Sequence, residues 1–277
     1  MSERRTRLAV LGSPIAHSLS PSIHRAAYGV LGLPWHYEAI EMTGERLPGF
    51  VGALDTTWRG LSLTMPLKRD VLPILTTRHA MVDRVGGANT VLLDDSGIHG
   101  FNTDVRGVVE SFRGAGVESL STVEVLGAGA TAASVIVAVA ELGGSQVSVV
   151  ARTPGKAGEL VALGEREGMR VSVRPWTTDH HVEDIPDAVI STVPGGRSVL
   201  QFPESVRAGS VLFDVAYDPW PSALALAWAD AGGPVISGID LLLHQAIGQV
   251  RVFVGGDPEI ELPEEPRILD AMRAAVA

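Results

Sequence analysis

Residues 122–132 read Thr-Val-Glu-Val-Leu-Gly-Ala-Gly-Ala-Thr-Ala, and their reading decides the fold. Thr122 to Leu126 is a short strand-like run with three apolar positions, and the glycines follow at once. A helical run, Ala133 to Leu142, comes next, then Gly143-Gly144 and a second strand-like run from Gln146 to Ala151. Strand, glycine turn, helix and strand in that order is the setting a G-x-G-x-x-G/A fingerprint requires. Gly127 permits the tight turn, Gly129 lets the backbone approach a pyrophosphate, and Ala132 is small enough for close helix–strand packing. Ala128 and Ala130 fill the turn between them, and the helix N-terminus offers N–H groups and a positive dipole end to the phosphates. Without those flanking elements the same glycines would read as a plain structural turn.

The second strand ends in Ala151-Arg152-Thr153-Pro154-Gly155-Lys156. A site selective for NAD places an Asp or Glu here to bind the ribose hydroxyl, and none is present. Arg152 and Thr153 are suited instead to a 2′-phosphate, with Lys156 adding positive charge, so the expected cofactor is NADP. A solvated basic turn is the alternative, and it leaves the missing acid unexplained.

Upstream, residues 60–68 (Gly-Leu-Ser-Leu-Thr-Met-Pro-Leu-Lys) read as a strand from Gly60 to Thr64 that stops at Pro66 and opens a helix carrying Lys68 in its first turn. Asn102-Thr103-Asp104 stands just before a further helical segment. Taken singly, Lys68 reads as a surface lysine and Asp104 as a helix cap. Taken together, a lysine and an aspartate at two such termini can share a proton, as moving a hydride to or from a carbinol carbon demands. At the N-terminal end, Leu8 to Leu11 reads as a strand, and residues 12–21 lead into a helix from about Ser22 to Leu31. Ser20 with Pro21 reads as the N-cap and first-turn pair of that helix. Capping by Ser20 does not account for Ser18. Two hydroxyls at alternate positions beside a helix start make a carboxylate site.

Seven spaced motifs, Ser-Leu-Ser (18–20), Thr-Met-Pro-Leu-Lys (64–68), Gly-Ala-Asn-Thr (87–90), Asn-Thr-Asp (102–104), Gly-Ala-Gly (127–129), Ala-Arg-Thr (151–153) and His-Gln-Ala (244–246), occur in an order that resembles the shikimate dehydrogenase family. The resemblance runs from about Leu8 to Phe253. Carried over residue by residue, it implies that Ser18 and Ser20 take a substrate carboxylate, with Tyr217 near it. It gives the ring hydroxyls to Thr64, Lys68, Asn89, Asp104 and Gln245, and the chemistry to Lys68 and Asp104. It also implies cofactor contacts at Thr192, Val193 and Gly238. Ser62 stands where the family commonly has Asn, and Ala130 where a third glycine is common. Neither departure touches a residue assigned to chemistry. Which of Lys68 and Asp104 is the formal base stays open, because coupled groups titrate as a pair.

Composition narrows the partners. At 277 residues the chain is long enough for two domains and a substantial core. A formal charge of −10 with no basic stripe argues against a nucleic-acid partner, so an anionic substrate and cofactor must meet local positive charge at Lys68, Arg152 and Lys156. The absence of cysteine excludes disulfides and thiolate metal sites and fits a cytoplasmic protein. No apolar stretch reaches the length of a membrane span, and Met1 to Arg7 is charged, without the apolar core of a signal peptide. His79, His99, His180 and His181 show no metal-ligand spacing and read as solvated. The expected partner is a small molecule, and assembly as a homodimer is left open.

The expected fold class is α/β: an N-terminal α/β substrate domain plus a Rossmann-type, doubly wound dinucleotide-binding domain. Strand-like runs at 8–11, 35–40, 60–64 and 90–93 alternate with helical ones, giving a substrate domain over 1–103, completed by 239–277. Runs at 122–126, 146–151, 171–174, 188–192, 211–215 and 234–237 supply an NADP domain over 104–238, entered by a helix from 103 to 115. A helical pattern from Ile239 to Val254 should return the chain to the first domain, since Gln245 is needed there. Three rivals remain. A quinate-using relative tends to carry Thr at the position of Ser20 and an acid at that of Arg152; a related paralogue would have a broader substrate range; a non-catalytic NADP sensor need not retain Lys68, Asp104 and Gln245 together.

Overall fold

The structure, a computed structural model, describes residues 6–177, 184–194 and 200–276; the side chain of Lys156 and the pair His180–His181 lie outside the described residues. The chain divides into two compact units, Met1–Thr103 with Leu243–Ala277, and Asp104–Leu242.

The first unit runs β1 (Arg7–Gly12), α1 (Ser20–Val30), β2 (His36–Glu41), α2 (Leu47–Gly52), β3 (Trp58–Leu63), α3 (Leu67–Asp70), β4 (Thr77–Arg78), α4 (Ala80–Val85), β5 (Thr90–Asp94) and β6 (Gly97–Phe101). Its sheet has the order β2-β1-β3-β5-β6-β4. β1, β2 and β3 are parallel, whereas β5 runs against both β3 and β6. That reversal puts the start of β5 and the end of β6 at the edge where β1 and β3 end. Leu11, Leu47, Trp58, Leu61, Leu63, Leu67 and Val91 close a core on this sheet.

The second unit runs α5 (Asp104–Gly114), β7 (Thr122–Leu126), α6 (Ala130–Glu141), β8 (Gln146–Ala151), α7 (Gly158–Arg166), β9 (Arg170–Pro175), β10 (Ala188–Ser191), α8 (Glu204–Gly209), β11 (Val211–Asp214), α9 (Ala223–Asp230) and β12 (Val235–Ser237). All its strands are parallel, in the order β12-β11-β10-β7-β8-β9. The chain starts at the centre, winds out one way through β8 and β9, and returns to fill the other side from β10. This is the doubly wound arrangement, with its switch point between β7 and β10. α10 (Gly238–Gly255) begins in the second unit and ends in the first, and α11 (Glu265–Ala274) follows. Buried Arg251 of α10 donates Nε–H to Glu265 Oε2 at 2.8 Å and Nη1–H to the Pro258 carbonyl at 3.0 Å, fixing α11 to the chain that precedes it.

Several sequence expectations shift. α6 starts at Ala130, three residues before the expected Ala133, because Gly129 takes the N-cap position in an extended conformation and the turn needs only three residues. β4 and β6 were not expected: β6 carries glycines at positions 97 and 100, and its strand character comes from pairing with β5. His79 and His99 are not simply solvated. His79 caps α4, its Nδ1 accepting from Met81 N at 3.4 Å, and His99 bonds Asp94 Oδ1 at 2.9 Å across the β5–β6 hairpin. The Ser96 hydroxyl, and after it the His99 ring, hold the Asp94 carboxyl below its usual range.

Candidate active site

Four polar segments of the first unit emerge at one sheet edge: residues 13–20 after β1, 64–68 after β3, 86–89 before β5 and 102–103 after β6. Sheet edges at strand ends are where α/β folds bind ligands. The loops after β1 and β3 are laced together, with Thr64 N–H donating to the Leu11 carbonyl and Ser13 N–H to that of Met65, both at 2.9 Å. Gly12 allows this approach, since a Cβ there would overlap Thr64 Cγ2.

Ser18 and Ser20 do not divide their work as expected. Leu19 occupies the N-cap position of α1, and Ser20 is the first helical residue. The Ser18 hydroxyl accepts from Ser20 N–H at 3.4 Å, so Ser18 serves the helix start and the buried Ser20 does not cap it. The Thr64 carbonyl accepts from Leu67 N–H at 2.8 Å, which starts α3 and places Lys68 in its only turn, half-buried.

Lys68 is then tied by its backbone to the neighbouring segments. Its carbonyl accepts from Ala88 N–H at 2.8 Å, and the Gly87 carbonyl accepts from Asn102 Nδ2 at 2.9 Å. Asn89, next in line and buried, receives Thr103 N–H on Oδ1 at 2.9 Å and donates Nδ2–H to Thr103 Oγ1 at 2.9 Å. Thr103 Oγ1 gives its own proton to the Gln245 carbonyl at 2.9 Å. Asn89 Nδ2 also lies 3.4 Å from Gln245 Oε1, the outer limit of a hydrogen bond. The structure thus brings Thr64 with Lys68, Ser18 with Ser20, and Asn89 with Gln245. Asp104 directly follows Thr103, is buried, and opens α5.

In the second unit the turn residues sit at the switch point. Gly127 has φ +107°, a left-handed conformation that other residues adopt at a cost, and a Cβ there would lie 2.5 Å from Thr192 Oγ1. Thr192 donates both its N–H and its hydroxyl to the Leu126 carbonyl, at 2.8 and 2.9 Å, so the loops after β7 and β10 run side by side. Around the position of a Gly129 Cβ there is open space. Ala128 and Ala130 are half-buried beside it. Gly127 N–H donates to the Val150 carbonyl at 2.9 Å, which brings the end of β8 alongside, where Arg152 and Thr153 are exposed. A turn with room for a ligand, a helix N-terminus behind it and a basic, acid-free strand end beside it fit a dinucleotide with a 2′-phosphate. Val193 differs from its neighbours: its side chain packs into the core with Leu126, Val150 and Leu200.

Gly238 is buried at the first position of α10. Tyr217 is half-buried, its phenol pushed up by burial and then by Asp218. Sequence reasoning missed Asp214, a buried carboxylate at the end of β11 that accepts from Ser222 Oγ at 2.6 Å and Ala216 N–H at 3.2 Å. Burial raises its pKa. These bonds tie down the loop that carries Tyr217. The Asp-x-x-Tyr-Asp-Pro spacing of residues 214–219 is the signal that could have found it.

Comparison with known proteins bears on both halves. Residues 10–91 match the family described as the shikimate dehydrogenase substrate binding domain. The chain is 34% identical over 266 residues to the shikimate dehydrogenase (NADP(+)) of Rubrobacter xylanophilus, covering 91% of this chain and 92% of the relative. It is similar to the crystal structure of Mycobacterium tuberculosis shikimate dehydrogenase, with a TM-score of 0.83 and 38% identity over 98% of both chains. It is also similar to the shikimate 5-dehydrogenase of Thermus thermophilus in complex with NADP(H) and shikimate, with a TM-score of 0.81 and 32% identity over 98% of this chain and 99% of the other.

Proposed function

The chain belongs to the shikimate dehydrogenase family, and on that premise we propose that Lys68 and Asp104 are its catalytic pair. It is an NADP-dependent oxidoreductase that interconverts shikimate and 3-dehydroshikimate in chorismate biosynthesis. In this reading Met1–Thr103 with the later helices is the substrate domain, and the doubly wound unit holds NADP. Ser18 and Ser20 take the carboxylate, with Tyr217 near it, while Thr64, Asn89 and Gln245 orient the ring hydroxyls. The turn 127–130 with Thr192 and the backbone at Val193 and Gly238 receive the dinucleotide, and Arg152, Thr153 and Lys156 its 2′-phosphate. In this reading the enzyme works in the cytoplasm; among the described residues no helix is long and apolar enough to cross a membrane.

Bound NADP supplies the hydride acceptor; the protein supplies orientation and proton handling. Lys68 and Asp104 take the hydroxyl proton as the carbinol carbon is oxidised. In the reverse direction the Lys68 ammonium polarises the ketone and meets the developing oxyanion charge. The observation that carries this reading is the short segment 87–89. It is bonded to the Lys68 backbone on one side and to Asn102 and Thr103, the residues leading into Asp104, on the other. Lys68→Ala should cut turnover by about 100- to 10,000-fold, the usual worth of general acid–base help, with a much smaller change in the KM for shikimate. Initial rates of NADPH formation decide it. Near-normal turnover in the variant would remove Lys68 from the chemistry.

A further inference from the structure

One buried polar cluster of the first unit takes no part in the reading above. His24 of α1, Tyr37 of β2, Ser62 of β3 and Gln249 of α10 are all buried and share hydrogen bonds. Their protons can be assigned in only one pattern. Gln249 Nε2 lies 3.2 Å from the Asn89 carbonyl, which can only accept, so the amide nitrogen faces Asn89. Gln249 Oε1 therefore faces Ser62 Oγ at 2.8 Å and His24 Nε2 at 3.1 Å, and both must donate to it. His24 thus carries its proton on Nε2, and its Nδ1 accepts from the Tyr28 hydroxyl at 3.0 Å. Ser62, having donated, accepts from the Tyr37 hydroxyl at 2.7 Å.

The array ends on a residue of the candidate site. The Asn89 carbonyl takes Gln249 Nε2–H and also Leu63 N–H at 2.7 Å, while its side chain meets Thr103 and Gln245. Gln245 and Gln249 are four residues apart on α10, so they lie one above the other on one helix face. One reaches the Asn89 side chain and the other its backbone. An apolar contact would let the helix slide along the sheet by fractions of an ångström; a directed hydrogen bond does not. A misplacement of about 1 Å can cost on the order of 100-fold in rate.

We propose that Gln249 is a positioning residue for shikimate binding: supported by Ser62 and His24, it fixes the Asn89 backbone and the height of Gln245 so that both side chains meet the ring hydroxyls. This rests on the reading of Asn89 as a substrate contact. In this chain Ser62 therefore supports α10, at a position where the family commonly carries Asn.

Four variants test it, each assayed for the KM of shikimate, the KM of NADP and kcat, alongside Tm. Gln249→Met, which keeps the side-chain length, should raise the shikimate KM about 10-fold with the NADP KM within about 2-fold, an effect of displaced contacts. His24→Phe with Gln249→Met also removes the His24 N–H that Gln249→Met alone leaves unpaired; it should recover part of the Tm lost in Gln249→Met while the shikimate KM stays high. Ser62→Ala removes one donor to Gln249, should fold in any case, and should raise the shikimate KM in the same direction by a smaller factor. Asn89→Ala separates the two claims. If it leaves the shikimate KM unchanged, Asn89 is no substrate contact and the premise fails. If it raises that KM while folded Gln249→Met and Ser62→Ala do not, or if KM recovers together with Tm in the double variant, the array is packing only and the positioning role is overturned.

Discussion

His24 should stay unprotonated in the folded chain far below the pH at which a solvated histidine takes up its proton. Burial lowers its pKa from 6.5 to about 3, and the Gln249 bond opposes this without reversing it. The ring stacks on Tyr37 at 4.0 Å, and the Tyr28 phenol, the Gln249 amide and the Phe253 ring also meet it. None of these groups carries a negative charge that would balance an imidazolium, since burial also pushes both phenols up. The sign follows from the folded value lying below the unfolded one. Between 6.5 and about 3 the unfolded chain binds the extra proton, so the stability His24 contributes is complete above 6.5 and is lost as pH falls toward 3. A gap of about 3.5 units corresponds to about 5 kcal/mol in full, and about 2 kcal/mol of it is gone by pH 5. Long-range proton–nitrogen spectra of the histidine rings should show His24 as the Nε2–H tautomer, with no shift change from about pH 7.5 to about pH 4.5. Urea unfolding of the wild type and of His24→Phe, at about pH 7 and about pH 5, should differ in pH response by about 2 kcal/mol. A His24 ring that titrates near 6.5, or equal pH responses in the two proteins, would refute the buried neutral array.

Two further outcomes follow from single contacts. Arg152→Ala should weaken NADP by about 1.5–3 kcal/mol, the worth of hydrogen bonds to a charged group, while leaving NAD affinity nearly unchanged in a titration of each cofactor; equal losses would make Arg152 a support of the fold. Gly60→Ala would set a methyl group 2.5 Å from the Phe253 ring and 2.6 Å from the Val91 carbonyl. Overpacking of this kind costs about 1–3 kcal/mol, and here it should also lift α10 and raise the shikimate KM; an unchanged Tm would show that the ring moves aside freely.

The legible parts of this chain were those whose physics is local. The turn at Gly127 needs a left-handed residue, the buried parallel strands need apolar runs, and both needs are written in consecutive residues. Lys68 was placed correctly in a first helical turn because Pro66 marks where β3 must stop. Where position depends on a partner strand, the pattern faded. β6, Gly-Ile-His-Gly-Phe, has little strand character of its own and is held by β5. Ser18 and Ser20 exchanged roles because either hydroxyl satisfies the same local rule, and only the path of the loop decides between them.

The array around Gln249 shows why a buried site cannot be read from spacing. His24 and Gln249 are 225 residues apart in sequence, with the whole second unit between them. In sequence His24 is one more polar position of an amphipathic helix, and Gln249 one turn beyond a motif that ends at Ala246. Neither carries a signal of burial, and an isolated buried histidine or glutamine would be a cost rather than a support. What turns the cost into specificity is that the donors and acceptors match: Ser62 and His24 give to the oxygen that Gln249 offers, and Gln249 gives to the carbonyl that Asn89 offers. Removing one member leaves its partners buried and unpaired, and even an apolar pair in place of His24 and Gln249 would leave the Tyr28 and Ser62 hydroxyls without their acceptors. The same reasoning explains why α10 must close the first unit. Asn89 is fixed at its carbonyl and approached at its amide by residues that the chain supplies only after completing the second unit, so this sheet edge acquires its geometry from the last long helix and not from the strands that carry most of its side chains.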